Sequence, residues 1–297
     1  MRLSVIIVNY NTFELTCKCI ESVLKHTSLP DYEILLVDNG SSECSPHLFQ
    51  ERFPQIELIV SPKNVGFAKG NNLGIAKARG EYILLLNSDI ELVEDAIVPL
   101  LHYMQQSPSV GVVSPMLIYP DGRIQHVARR FPSLRYEFIE LLRLHKLLGA
   151  GALLGWYYHH QRLVEADWVW GAFFLMRRQV LDSFPQRRLP DDFFMYFEDC
   201  QWCYHIKKAG YKVVYNPIVK AVHHVSASSK DHRTPNHKLQ LSLNNEYVFW
   251  KKERGEWYAR VLMGVRALKY FSLRQPEFVA LGRMYGRVFW QGLPLNE

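Results

Sequence analysis

Short apolar runs closed by polar turns fill the first 115 residues, and segments with helical spacing lie between them. Leu3–Val8 (LSVIIV), Glu33–Val37 (EILLV), Ile56–Val60, Tyr82–Leu86 (YILLL) and Val110–Val113 read as strands. Their density of Val, Ile and Leu is that of strands covered on both faces. Thr12–His26, Gly66–Ala78 and Val93–Gln106 repeat apolar positions at helical intervals, with Thr12 placed as an N-cap. Strand and helix in alternation predict an α/β fold: a mostly parallel central sheet with flanking helices.

The pattern changes after residue 115. Asp121-Gly122 between the apolar flanks of Ile118–Val127 is a hairpin signal. Phe138–Tyr158 is Leu-rich, with Arg143, His145 and Lys146 interspersed, and reads as an amphipathic helix running into a Gly-Ala segment at Gly149–Gly155. Val169–Met176, Val213–Tyr215 and Val219–Val222 read as strands, and Cys200–Ala209 as a helix stopped at Gly210. From about Lys238 the chain reads as helices, including Tyr258–Leu273 and Phe278–Trp290 on either side of Pro276. The boundaries this suggests are a catalytic domain over 1–236, in halves 1–115 and 116–236, and a helical region over 237–297.

In open α/β sheets ligands bind outside the carboxyl ends of the strands. Three predicted strands turn polar at that end: Asn9-Tyr10-Asn11 after the first, Asp38-Asn39-Gly40-Ser41-Ser42 after the second, Asn87-Ser88-Asp89 after the fourth. Turn chemistry alone accounts for one such end; three on one sheet edge mark a site.

Composition is that of a globular protein, with 48% hydrophobic and 22% charged residues in 297. Charge is divided unevenly. Residues 1–120 hold 8 Lys and Arg against 13 Asp and Glu, and residues 121–297 hold 27 against 16. An acidic site that holds a diphosphate needs a cation to mediate. The basic half suits an anionic membrane surface or acceptor, or simply a solvated surface. Cys17, Cys19, Cys44, Cys200 and Cys203 form no disulfide framework, and the Cys200-x-x-Cys203 pair lacks a second pair for zinc, so buried reduced thiols are expected. Met1–Val8 is too short for a secretory h-region, and no run of 18 apolar residues occurs. A cytoplasmic location, with or without peripheral membrane contact, follows.

Individual residues carry candidate chemistry. Tyr10 can stack on a nucleobase or pack locally, and Asp38 can accept from a base imide or ribose hydroxyl or start a turn. Lys63–Asn72 is polar and Gly-rich before a helix, where exposed N–H groups favour phosphate. It fits neither the P-loop nor the Rossmann pattern, which argues against an ATPase and a dehydrogenase. Asn87-Ser88-Asp89 resembles a D-x-D metal element, with Asp89 as the carboxylate ligand and His223 or His224 as a nitrogen ligand that Mn²⁺ tolerates better than Mg²⁺. Glu198 and Asp199 close the aromatic run Phe193–Phe197 just before a helix. Desolvation there raises a carboxyl pKa and the helix N-terminus lowers it, a balance the sequence leaves open.

Taken in order, Val5–Thr12 (VIIVNYNT), Val37–Ser42 (VDNGSS), Asn64–Ile75 (NVGFAKGNNLGI), Leu84–Asp89 (LLLNSD), Trp170–Phe173, Phe193–Asp199, Lys208–Tyr211 and His223–Ser228 resemble the successive motifs of family-2 glycosyltransferases, closest to the rhamnosyltransferase-like branch. The resemblance implies a GT-A fold, a divalent metal (Mn²⁺ or Mg²⁺) and an inverting mechanism. It implies that Asn9, Tyr10, Asn11, Asp38, Asn64, Gly66, Lys69, Asn71, Asn87, Ser88, Asp89, Trp170 and Gly171 surround the nucleotide-sugar. Asp89 and His223 would face the metal, and Asp199, with Glu198 as runner-up, would be the base. The implied partners are a dTDP- or UDP-sugar donor, with rhamnose a candidate sugar, and a glycan or polyprenyl-diphosphate-linked acceptor, and no nucleic acid. Two departures stand out. Gln201 and His205 replace the second acid and the Arg of the E-D-x-D-L-x-x-R pattern, and Ser226 stands where Gly is common. The rival reading is a non-catalytic nucleotide-sugar or glycan-binding module on the same fold; a nucleotidyltransferase would carry a Gly-rich basic loop near the first strand, which Asn9–Phe13 lacks.

Overall fold

The computed structural model describes residues 2–144, 146, 161–225, 235–273 and 275–292. Its contacts divide the chain into two compact units, residues 1–130 with 160–232, and residues 131–159 with 233–297.

The first unit is built on a nine-stranded sheet. Its strands are β1 (Leu3–Asn9), β2 (Tyr32–Asp38), β3 (Glu57–Val60), β4 (Tyr82–Asn87), β5 (Ile90–Leu92), β6 (Val110–Ile118), β8 (Val164–Ala166), β10 (Phe173–Arg177) and β11 (Lys212–His223), while β7 (Ala128–Arg129) and β9 (Trp168–Val169) form a separate ribbon. The helices of this unit are α1 (Phe13–His26), α2 (Leu48–Arg52), α3 (Phe67–Ile75), α4 (Val98–Gln106) and, further along, a helix over Glu198–Lys208. The order β3-β2-β1-β4 is parallel throughout. β1 and β4 are buried along almost their whole length, as their unbroken apolar sequences require. The helix α3 lies close on β1: a Cβ on Gly74 would come within 2.4 Å of the Ile6 side chain.

Two expectations are modified. The segment Val169–Met176 is not one strand: it breaks at Trp170-Gly171-Ala172 into β9 and β10, and β10 runs antiparallel between β4 and β6. After β6 the hairpin near Asp121 and the β7–β9 ribbon bring the chain to Trp170, beside the carboxyl end of β4, so β10 enters the sheet there and runs back. The two short strands at 213–215 and 219–222 are one strand, β11, whose register on β6 shifts between Tyr215 and Lys220. Pro217, which has no N–H for a ladder, sits inside that irregularity. The hairpin at Asp121-Gly122 forms with an Ile118–Ile124 bridge.

The second unit packs α5 (Leu134–Leu141) with three C-terminal helices. Numbering the Glu198–Lys208 helix α6, these are α7 (Pro235–Arg254), α8 (Glu256–Ser272) and α9 (Pro276–Gln291). Pro276 opens α9, where its missing N–H costs nothing. A buried ion network ties α5, α7 and α8. Arg266 reaches Glu137 at 2.7 Å and Glu246 at 2.6 Å, and Lys269 contacts Glu137 and, at 2.9 Å, Glu140. Most of the Leu-rich stretch up to Tyr158, with the Gly-Ala segment, lies outside the described residues, as does the 226–228 part of the late histidine motif.

Candidate active site

The carboxyl ends of β1, β2 and β4 meet through side chains that the sheet leaves no choice but to pair. Asn9, at 1% exposure, donates from Nδ2 to Asp38 Oδ2 at 2.8 Å, and its Oδ1 accepts from the hydroxyls of Thr12 and Thr16. Thr12 Oγ1 stands 3.1 Å from Ser88 Oγ, which joins the first strand end to the fourth. Asp38 also accepts from Ser41 N–H, and Asn11, at φ 53°, accepts from Ser42 N–H at 2.8 Å. Tyr10 is half-buried.

From β4 the network continues to the acid pair. Asn87 N–H donates to Ala172 O at 2.9 Å, and the next residue back, Gly171, donates its N–H to Asp199 Oδ2 at 3.1 Å. A Cβ on Gly171 would lie 3.3 Å from the Phe67 ring and 3.6 Å from Asp199 Cβ, so this loop fits closely because it carries no side chain. Asn87 Oδ1 is buried without a hydrogen-bond partner.

Tyr196 and Phe197 both take left-handed backbone conformations, φ 68° and 77°, an uncommon choice for two aromatic residues in succession. The turn sets Glu198 and Asp199 as the first residues of α6. Burial dominates their titration. Glu198 is raised by desolvation and then by the Asp199 charge. Asp199 is raised by desolvation and held back by the N–H groups of Gly171 and Cys200 and by Arg129. The balance that the sequence left open falls on the side of desolvation for both carboxyls, and Glu198 Oε2 has no hydrogen-bond partner.

Asp89, 2% exposed, faces His223: Nε2 lies 3.4 Å from Asp89 Oδ1. The Trp170 ring meets the His223 imidazole edge-on at 6.3 Å, and Arg129 covers Trp170. His224 instead pairs with Glu91 at 2.9 Å. A carboxylate oxygen and an imidazole nitrogen 3.4 Å apart suit adjacent positions on one ion whose ligands lie roughly 2.1 Å away. No cluster of three or more His, Cys, Asp or Glu able to hold an ion occurs among the described residues. Two protein ligands, with phosphate oxygens and water completing the shell, is the usual arrangement for Mg²⁺-type ions at nucleotide sites. The residues fit such an ion.

Asn9, Asp38, Asn87, Ser88, Asp89, Trp170, Gly171, Asp199 and His223 thus belong to one contact network. Asn64 and Gly66 are tied to it through Asn39, whose N–H donates to Asn9 O and whose Nδ2 donates to Asn64 Oδ1 and Gly66 O. Asn64 Oδ1 accepts from Asn39 Nδ2 and Gly66 N–H, so it shapes its own loop. Gly66 has φ 89°, and a Cβ there would meet Phe194 O at 2.4 Å; the next N–H, of Phe67, donates to that same oxygen. Asn71 is buried and donates to Phe67 O inside α3. Lys69 is exposed and lines a cleft of about 870 Å³ between α3 and residues 178–191, which shares no residue with the strand-end network. Gln201 donates to Asp192, and His205 packs against Phe184 and Tyr204. Cys17, Cys19, Cys200 and Cys203 are buried thiols. Sequence reasoning missed Gln125, Arg129 and Thr16; nothing in their local spacing distinguishes them.

This arrangement is that of a nucleotide-sugar glycosyltransferase fold, and the comparisons agree. Residues 4–183 match the family model for glycosyl transferase family 2, and the chain belongs to that family. It is 27% identical over 252 residues to the N-acetylglucosaminyl-diphospho-decaprenol L-rhamnosyltransferase of Mycobacterium tuberculosis, covering 76% of each. It is 27% identical over 258 residues to the uncharacterized protein y4gI of Sinorhizobium fredii and 26% over 287 to the O-antigen biosynthesis protein RfbC of Myxococcus xanthus, but spans only 27% and 21% of their lengths. Among solved structures, GalNAc-T7 with UDP, GalNAc and Mn²⁺ aligns with a TM-score of 0.58 at 16% identity, covering 99% of this chain and 59% of that one. Staphylococcus aureus TarS aligns at 0.55 with 14% identity, covering 97% and 52%. The fold is GT-A.

Proposed function

We propose that this glycosyltransferase is a metal-dependent inverting enzyme that moves a hexose from a nucleotide diphosphate to a hydroxyl of a glycan or polyprenyl-diphosphate-linked acceptor, in cell-surface polysaccharide assembly. Residues 1–115 hold the donor and residues 116–236 the acceptor. Asp38 and Asn9 receive the nucleoside, with Tyr10 beside them. Asp89 and His223 hold Mn²⁺ or Mg²⁺, which when bound neutralises the departing diphosphate. Asp199 takes the acceptor proton: burial lifts its basicity toward neutrality, and Gly171 N–H fixes the direction of Oδ2. Glu198 lies beside it, its carboxyl raised by burial and then by the Asp199 charge.

The observation that carries this reading is the continuous path of contacts from Asp38 through Asn9, Thr12 and Ser88, and from Asn87 through Ala172 and Gly171 to Asp199. It favours one substrate touching all three strand ends. The mycobacterial relative supports dTDP-rhamnose as the first donor to try and a polyprenyl-diphosphate-linked amino sugar as the first acceptor; the Mn²⁺ and UDP named for GalNAc-T7 support a divalent ion and make UDP-sugars the second panel.

The second unit is proposed to rest on an anionic membrane where such an acceptor resides. Its residues include 14 Lys and Arg against 7 Asp and Glu. No helix among the described residues is long and apolar enough to cross a membrane.

A transfer assay by mass spectrometry with dTDP- and UDP-sugars, Mn²⁺ and a short polyprenyl-diphosphate acceptor tests the reading. A product heavier by one sugar residue with at least one donor is expected; neither transfer nor donor hydrolysis with any donor would reject it in favour of a binding module.

A further inference from the structure

Gln125 is 1% exposed and grips His223 with both ends of its amide. Its Nε2 donates to the His223 backbone oxygen at 2.8 Å, and its Oε1 lies 2.8 Å from His223 Nδ1. Each contact constrains the next. A carbonyl oxygen can only accept, so the NH₂ end of the amide must face it. The oxygen end then faces Nδ1, and an oxygen there requires Nδ1 to carry the proton. In the neutral ring the lone pair is left on Nε2, the atom 3.4 Å from Asp89 Oδ1. The clamp is itself anchored. Gln125 N–H donates to Leu117 O at 2.8 Å and Gln125 O accepts from Val127, just after the Asp121-Gly122 turn, and Leu117 pairs across the ladder with Ala221, two residues before His223.

We infer that Gln125 is the positioning residue of the metal site: it fixes the His223 tautomer so that Nε2 is presented as a ready ligand beside Asp89. The hairpin over 118–127 thereby acquires a role, since it carries Gln125 to the end of β11. The inference rests on the metal reading above, and its logic is that of imidazole ligands generally, whose second nitrogen is bonded to an acceptor that orients the ring and raises ligand basicity.

Two measurements test it. The first is made without metal: ¹⁵N-resolved NMR of the His223 ring at a pH where it is neutral. Wild type is expected as the Nδ1–H tautomer, and Gln125→Met, which keeps the length and loses the acceptor, is expected to shift toward Nε2–H, the form that can donate to Asp89. Wild type found as Nε2–H overturns the inference. The second is Mn²⁺ affinity by electron paramagnetic resonance in the presence of a nucleoside diphosphate. Gln125→Met is expected to weaken binding roughly 10- to 100-fold. Affinity equal to wild type in Gln125→Met, with His223→Ala impaired, overturns the inference alone. If His223→Ala also binds as wild type does, the metal reading fails, and the tautomer measurement still decides whether Gln125 sets the ring.

Discussion

The backbone N–H of Gly171 donates to Asp199 Oδ2 at 3.1 Å, so the loop opening β10 and the acid opening α6 hold one another in place. One carboxylate oxygen is thereby oriented by the chain itself. Asp199→Asn should keep donor binding and lose roughly 10²–10⁴-fold in turnover, the usual worth of a positioned base. Desolvation raises the Asp199 pKa, so the acid limb of the wild-type rate profile should lie above the ordinary aspartate range. A profile whose acid limb sits at the ordinary value, or a variant with normal turnover, would remove the base from this position.

Glu198 should cost stability where it is ionised. Its folded-state pKa is raised above the unfolded value, so the folded protein holds a proton that the unfolded chain releases. The cost is absent below the unfolded pKa, grows as pH rises, and is complete above the folded pKa. Glu198→Gln should therefore melt higher than wild type in mildly alkaline buffer and level with it near pH 4. Calorimetry at both pH values checks this; a gain of equal size at both would assign the effect to something other than the proton.

Gly66 is the joint between the donor-side loop and the acid loop. Its φ of 89° and the Phe194 oxygen 2.4 Å from a would-be Cβ leave Ala no comfortable conformation. Gly66→Ala should lose at least about 1–3 kcal/mol through backbone strain alone, with turnover reduced because Phe194 leads to Glu198. Urea unfolding and steady-state kinetics on the same sample check both effects.

In the second unit, Arg266 sits between Glu137 and Glu246 with little solvent access. Removing one member of a buried network leaves the others uncompensated, so Arg266→Met should destabilise this unit by about 3–5 kcal/mol. Glu246 is already raised by burial, and losing the Arg266 charge that lowers it should raise it further. Unfolding monitored at pH 6 and pH 8 should show the larger loss at pH 8.

Trp257 and Trp290 are 74% and 78% exposed, and Arg260, one turn past Trp257, donates to the backbone oxygen of Trp290 at 3.3 Å, so both rings lie at one end of the α8–α9 hairpin. Paired tryptophans beside cations suit a lipid interface. Replacing both with Ala should weaken sedimentation with anionic vesicles at low salt by tenfold or more and leave the melting temperature unchanged; equal sedimentation would discard the membrane contact.

Much of this was legible in the sequence because strand runs and their polar ends are local signals. Asn9, Asp38 and Asp89 stand out as polar residues closing apolar strands. The antiparallel insertion of β10 was not legible, since a strand's direction depends on where the chain has travelled beforehand. Gln125 and Arg129 also escaped notice: each acts on a residue far away in sequence, and only the fold brings it there. Asn64, Gly66 and Asn71 carry the family pattern, and their contacts also hold loop and helix together.

The most direct test of one metal-assembled site is calorimetric titration of the preferred nucleotide sugar into wild type and Asp89→Ala, each with Mn²⁺ and with EDTA. Tight binding should appear only in wild type with Mn²⁺, and EDTA or the substitution alone should abolish it. Undiminished affinity in EDTA, or in Asp89→Ala, would contradict the assignment of Asp89 and the cation to the donor.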